Sequence, residues 1–170
     1  KMLGDSARRA QESRILKPAS PGELGGSLGG VPSAWKLWKG KEAVLTKYEL
    51  GERTSVGAVG SYSIIDNQSF IGDEHHFSSS QPLVVYDARL QKTGVITGSY
   101  RLRLKNAADF TDVVRDYNLK VLSEQPEIKM FWVTSSTEPF DLQAMTNTLK
   151  KDSRIENVVL EVMSRTYEKR

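Results

Sequence analysis

The chain has 170 residues, of which 38% are hydrophobic and 26% charged, with a net charge of +3 and no cysteine. A compact domain of this size buries about 70% of its unfolded surface and needs no covalent staple. The missing cysteines exclude disulfide scaffolds, thiolate metal sites and thiol catalysis.

Residues 1–30 combine charge with Pro18, Pro21, Gly22, Gly25, Gly26, Gly29 and Gly30. Such a segment buries too little apolar surface to offset chain entropy, so a flexible arm is expected. The first twenty residues carry five basic side chains (Lys1, Arg8, Arg9, Arg14, Lys17) against two acidic ones (Asp5, Glu12), so the other 150 residues sum to zero. A neutral body lacks the field that nucleic-acid binders usually carry. Residues 31–92 read as a β-rich extension, with apolar points at Trp35, Leu37, Val44, Tyr48 and Leu50. A short strand is expected at 61–65, followed by a turn at Asp66-Asn67.

The second half is written more sharply. Residues 83–90 and 95–105 are β-rich runs separated by Gln91-Lys92-Thr93-Gly94, a turn with glycine where positive φ is cheap. Within the second run Tyr100, Leu102 and Leu104 alternate with Arg101, Arg103 and Lys105, the period of a strand with one wet face. Asn106 offers a helix cap, and Phe110, Val113, Val114 and Tyr117 form one apolar stripe that Asn118 ends. Strands follow at 119–123 and 129–135 around the turn Gln125-Pro126-Glu127. Pro139 and Asp141 open a second helix carrying Leu142, Met145 and Leu149, with Lys150 and Lys151 at its cation-favouring end. A last strand spans 155–162, and 163–170 reads as a polar tail. From Val95 the order is strand, helix, strand, strand, helix, strand. The expected fold class is therefore α+β, ferredoxin-like, with an antiparallel sheet carrying both helices on one face. The domain is expected to span 93–162.

No catalytic constellation stands out. Asp73-Glu74-His75-His76 is the one place where histidine and carboxylates cluster, and adjacent histidines project to opposite sides of a strand. It reads as a polar loop, and no metal or other cofactor is expected. Gly60-Ser61-Tyr62-Ser63 lacks the nucleophile-elbow pattern, and the glycine run at 25–30 lacks a following Lys-Ser or Lys-Thr. The expectation is a binding protein and not an enzyme. No apolar run reaches the length of a membrane span. No apolar signal core opens the chain, so a mature product from which the targeting segment has been removed is expected, in the periplasm or secreted.

Three segments carry a family likeness. They are Gly98-Ser99-Tyr100-Arg101-Leu102-Arg103-Leu104-Lys105, the helix end Tyr117-Asn118-Leu119-Lys120-Val121-Leu122-Ser123, and Leu149-Lys150-Lys151-Asp152-Ser153-Arg154-Ile155-Glu156-Asn157-Val158. Together they resemble the prodomains of subtilisin-like serine proteases. With so long a stretch before them, the nearer likeness is to the external chaperones of secreted subtilisin/kexin-like enzymes. In the family the last segment leads into a pattern V-x-x-V-E-x-D. Here Ile155 and Val158 are its apolar pair, Val159 stands at the Glu position, and Glu161 stands at the final acidic position.

The resemblance implies a folding chaperone and active-site inhibitor. Its open sheet face would dock on two protease helices, with Glu161 capping free N–H groups. The tail Arg165, Thr166, Tyr167, Glu168, Lys169 and Arg170 would then lie in the cleft as an added strand, its Lys169-Arg170 pair suiting a kexin-like enzyme. The implied partner is a subtilisin/kexin-like serine protease, with no nucleic acid and no membrane. An RNA-binding module on the same architecture is the alternative, and so is a structural subunit of a cell-surface assembly.

Overall fold

The computed structural model describes residues 18–48, 55–70 and 72–164. Within them the chain is α+β, with eleven strands in three antiparallel sheets and two α-helices. The first sheet has the order β1-β2-β6-β7, formed by β1 (Leu24–Ser27), β2 (Trp35–Trp38), β6 (Leu83–Asp87) and β7 (Lys92–Ile96). The second has the order β3-β5-β4, from β3 (Lys41–Leu45), β4 (Ser55–Val59) and β5 (Tyr62–Asp66). The third has the order β11-β8-β10-β9, from β8 (Tyr100–Leu104), β9 (Leu119–Gln125), β10 (Met130–Ser135) and β11 (Ile155–Leu160). Helix α1 (Phe110–Asp116) joins β8 to β9, and α2 (Leu142–Lys150) joins β10 to β11.

Strand β6 lies between two cores. Leu83 and Val85 enter the larger core with Tyr100, Leu102, Phe131, Leu142 and Leu160. Val84 and Tyr86 point the other way, into a smaller core with Trp38, Ala43, Val59 and Ile64 from the first two sheets. Successive side chains of a strand face opposite sides, so a strand buried on both faces reads as a continuous apolar run. Lys41 fastens the smaller core at its rim. Its ammonium lies 2.6 Å from Asp66, 3.7 Å from Glu23 and 4.9 Å from the Trp38 ring centre. On β7, the Thr93 hydroxyl is fully buried and has no hydrogen-bond partner. Replacing Thr93 by valine removes that stranded polar group and should raise the unfolding free energy by about 1 kcal/mol. A urea titration checks this, and a lower midpoint for the variant would contradict it.

The third sheet follows the alternation of its sequence. Tyr100, Leu102 and Leu104 are buried against Phe110, Val113 and Leu149 of the helices, and Phe110 stacks on Phe131 at 3.9 Å. The caps fall where expected. Asn106 accepts from the Ala108 N–H at 3.0 Å, and Asp141 accepts from Ala144 at the start of α2 at 2.9 Å. Asn118 takes φ +52° just beyond α1, the left-handed conformation that asparagine tolerates.

Four expectations change. The run 95–105 is not one strand: it divides at Gly98, with φ +90°, into β7 of the first sheet and β8 of the third. The turn between β6 and β7 falls at 88–91 and places Gln91, not Gly94, at positive φ. Gly94 lies inside β7 for steric reasons, because a Cβ there would overlap Val162 and press on Trp35 and Val85. The arm expected over 1–30 does not extend through its described part, since β1 pairs with β2 and Leu28 is 4% exposed. Met163, expected to open a polar tail, instead exchanges backbone hydrogen bonds with Val95 at 2.7 and 2.9 Å. Residues 92 and 93 both lie in β7, and residues before and after them contribute to the larger core.

Candidate functional site

The face of the third sheet opposite the helices bears the polar members of each alternating strand. Directly opposed residues in antiparallel strands share a face, so the register defines two rows across it. One row is Ser123, Trp132, Arg101 and Val159, and the next is Gln125, Met130, Arg103 and Asn157. Ser123, Arg103 and Asn157 are exposed, while Trp132, Arg101, Val159 and Met130 are half-buried. Phe131, next to Trp132, faces the core and is 1% exposed. The centre of the open face is thus an indole and a guanidinium side by side, flanked by aliphatic surface.

Glu161 reaches the same face just beyond β11. One of its carboxylate oxygens accepts from Ser99 Oγ at 3.1 Å, and the other accepts from the Trp132 indole N–H at 3.3 Å. Its own N–H donates to the Ser99 carbonyl at 2.9 Å. Two lone-pair positions of a carboxylate stay available after those bonds, so Glu161 is anchored without being saturated. The structure brings Glu161 to the sheet face, whereas Arg165, Thr166, Tyr167, Glu168, Lys169 and Arg170 lie outside the described residues. Sequence reasoning missed Arg101, Arg103 and Trp132 as site residues. Their period-two spacing was the available signal for the first two.

The remaining polar groups do other work. His75 Nδ1 lies 3.2 and 3.1 Å from the two carboxylate oxygens of Asp141, so that hydrogen bond and charge raise the imidazole pKa. Asp141 is itself committed to capping α2, and the bond from Ala144 lowers its pKa. Among the described residues no three His, Cys, Asp or Glu side chains gather as metal ligands. A mainly apolar cavity of about 290 Å³ lies beside β2 and β6, between Leu37, Trp38, Gln68, Phe70 and Val84. No carboxylate or histidine lines it.

The sequence model of the open reading frame 2 N-terminal domain matches residues 31–169. The chain belongs to this family. In this open reading frame 2 N-terminal domain the matched span takes in β2 to β11 and both helices, so the second and third sheets fall within it whole and the first without β1. No curated protein and no solved structure matches the chain.

The domain also carries a charged knot where α1 meets the turn before β11. Asp152 accepts from Arg154 Nε at 3.0 Å, Arg154 Nη2 at 2.6 Å and the Tyr117 hydroxyl, while Arg154 Nη1 reaches Asp116 at 3.0 Å. Arg154 holds the Asp152 carboxyl well below the usual carboxylate range. The geometry of these residues is that of an internal tie.

Proposed function

We propose that the domain binds a subtilisin/kexin-like serine protease, as folding chaperone and active-site inhibitor, and performs no catalysis itself. The observation that carries this reading is the uncovered face of the third sheet, with half-buried Trp132, Met130 and Val159 at its centre. The sequence of elements from β8 to β11, with strand order β11-β8-β10-β9, supports a ferredoxin-like module of the prodomain type. That face would dock on the protease, and residues 165–170 would follow the last strand into the cleft by strand addition. Binding the folded enzyme alone would stabilise that state and block its site, which unites the two activities.

The test is an inhibition and co-elution assay with a subtilisin-fold protease encoded beside this chain. Co-elution with loss of hydrolysis is expected, together with improved recovery of the denatured enzyme. Deleting Tyr167–Arg170 should relieve inhibition while leaving co-elution intact. Undiminished hydrolysis at saturating chain, without co-elution, would remove the proposal. Trp132 beside Arg101 also suits base stacking, the feature that favours an RNA-binding reading. The Glu161 carboxylate bonded to that indole opposes it, because it puts negative charge where a phosphate would approach.

A further inference from the structure

The open sheet face carries two guanidinium groups that no carboxylate of the described residues pairs with. Arg101 makes no hydrogen bond or ion pair among the described residues, although it is half-buried at the centre of the face. Arg103 has a single weak bond, from Nη1 to the Ile128 carbonyl at 3.4 Å, and no ion pair among the described residues. The other arginines among the described residues behave differently. Arg154 is bonded to Asp152 and Asp116, Arg115 pairs with Asp112 and Asp116, and Arg89 approaches Asp87. The carboxylate nearest the centre, Glu161, is already held by Ser99 and Trp132. A guanidinium is always charged and presents a planar fork of donors that fits a carboxylate in two places.

We infer that the partner meets this face with an acidic protein segment whose two carboxylates are taken by Arg101 and Arg103. Residues two apart on a strand lie about 6.6 Å apart on one face. Acidic side chains one turn apart on a helix have a similar separation, about 5–6 Å between Cβ atoms. The segment that fits is therefore a helix with two acidic residues one turn apart, its apolar flank resting on Trp132 and Val159. This rests on the sheet face proposed above as the docking surface. It also gives that surface a charge opposite to the one implied by an acidic cap at Glu161.

The experiment uses a probe other than the protease, so the two proposals fail separately. A hexaglutamate peptide is titrated into the full chain at low salt, with NMR following the Arg101 and Arg103 Nε–H and Trp132 indole N–H signals. All three should shift, and the shifts should fade at 0.3 M salt. Arg101→Glu with Arg103→Glu should weaken peptide binding at least tenfold, and the same double change to glutamine should act in the same direction. Reversal of the distant Lys47 to glutamate should change nothing. Absence of shifts, or shifts confined to other residues, would overturn the inference. Tighter binding of a ten-nucleotide oligothymidine than of hexaglutamate would overturn it in favour of phosphate recognition. Peptide binding without protease binding would retain the surface for an acidic segment and remove the protease reading. Protease binding that is unchanged by the double reversal would do the opposite.

Discussion

Replacing Gly98 by alanine should lower the unfolding free energy by about 3 kcal/mol, from backbone strain and overpacking together. Gly98 has φ +90°, outside the conformations that a residue with a Cβ adopts cheaply. A methyl group there would come within 2.7 Å of Phe77 Cε2, a ring that is itself 1% exposed and packed edge-on against Phe140. The ring has little room to retreat, because Phe77 also exchanges backbone hydrogen bonds with Phe140. Gly26→Ala is the matched control, since nothing lies within 4 Å of its Cβ position. Denaturant titration of both variants checks the pair, and equal midpoints would show that the joint between β7 and β8 yields more than its geometry indicates.

Asp152→Asn should cost about 2 kcal/mol at neutral pH, in line with losing hydrogen bonds to a charged group. The Asp152 side chain is 6% exposed and serves Arg154, the Arg154 backbone N–H and the Tyr117 hydroxyl. Its folded pKa is depressed by Arg154, so the unfolded chain takes up this proton first as the pH falls. The stabilisation is thus complete above the unfolded carboxylate pKa of about 3.9 and disappears on acidification towards the folded value. The gap between wild type and variant should narrow from pH 7 to pH 3. A gap that stays constant over that range would assign the loss to shape instead of charge.

The third sheet was legible because its chemistry is local. Tyr100, Leu102 and Leu104 alternate with charge, Asn106 and Asp141 are short polar caps, and Asn118 tolerates a left-handed stop. Each signal acts within a few residues. The first two sheets gave no such pattern, because β6 is buried on both sides and β1 consists largely of glycine and serine. Gly94 looked like a turn marker and Gly98 fell inside an expected strand, and it takes the packing of distant Val162 and Phe77 to show what they accommodate. Glu161 entered as a site candidate through the family resemblance alone, at the final acidic position of its pattern. That Arg101 and Arg103 are unmatched was not legible, since it depends on which residues β9, β10 and β11 set beside them.

The double burial of β6 ties the molecule into one cooperative unit. Val84 and Tyr86 belong to one core while Leu83 and Val85 belong to the other, and all four are at most 2% exposed. Opening either layer strips one side of the same five-residue strand, so damage in the smaller core reaches the third sheet through a single element. Sub-global opening of the kind seen in loosely joined modules has no free seam there. The amides of β6 should therefore exchange with solvent only when the whole domain unfolds, and the docking face retains its shape for as long as the distant small core is intact.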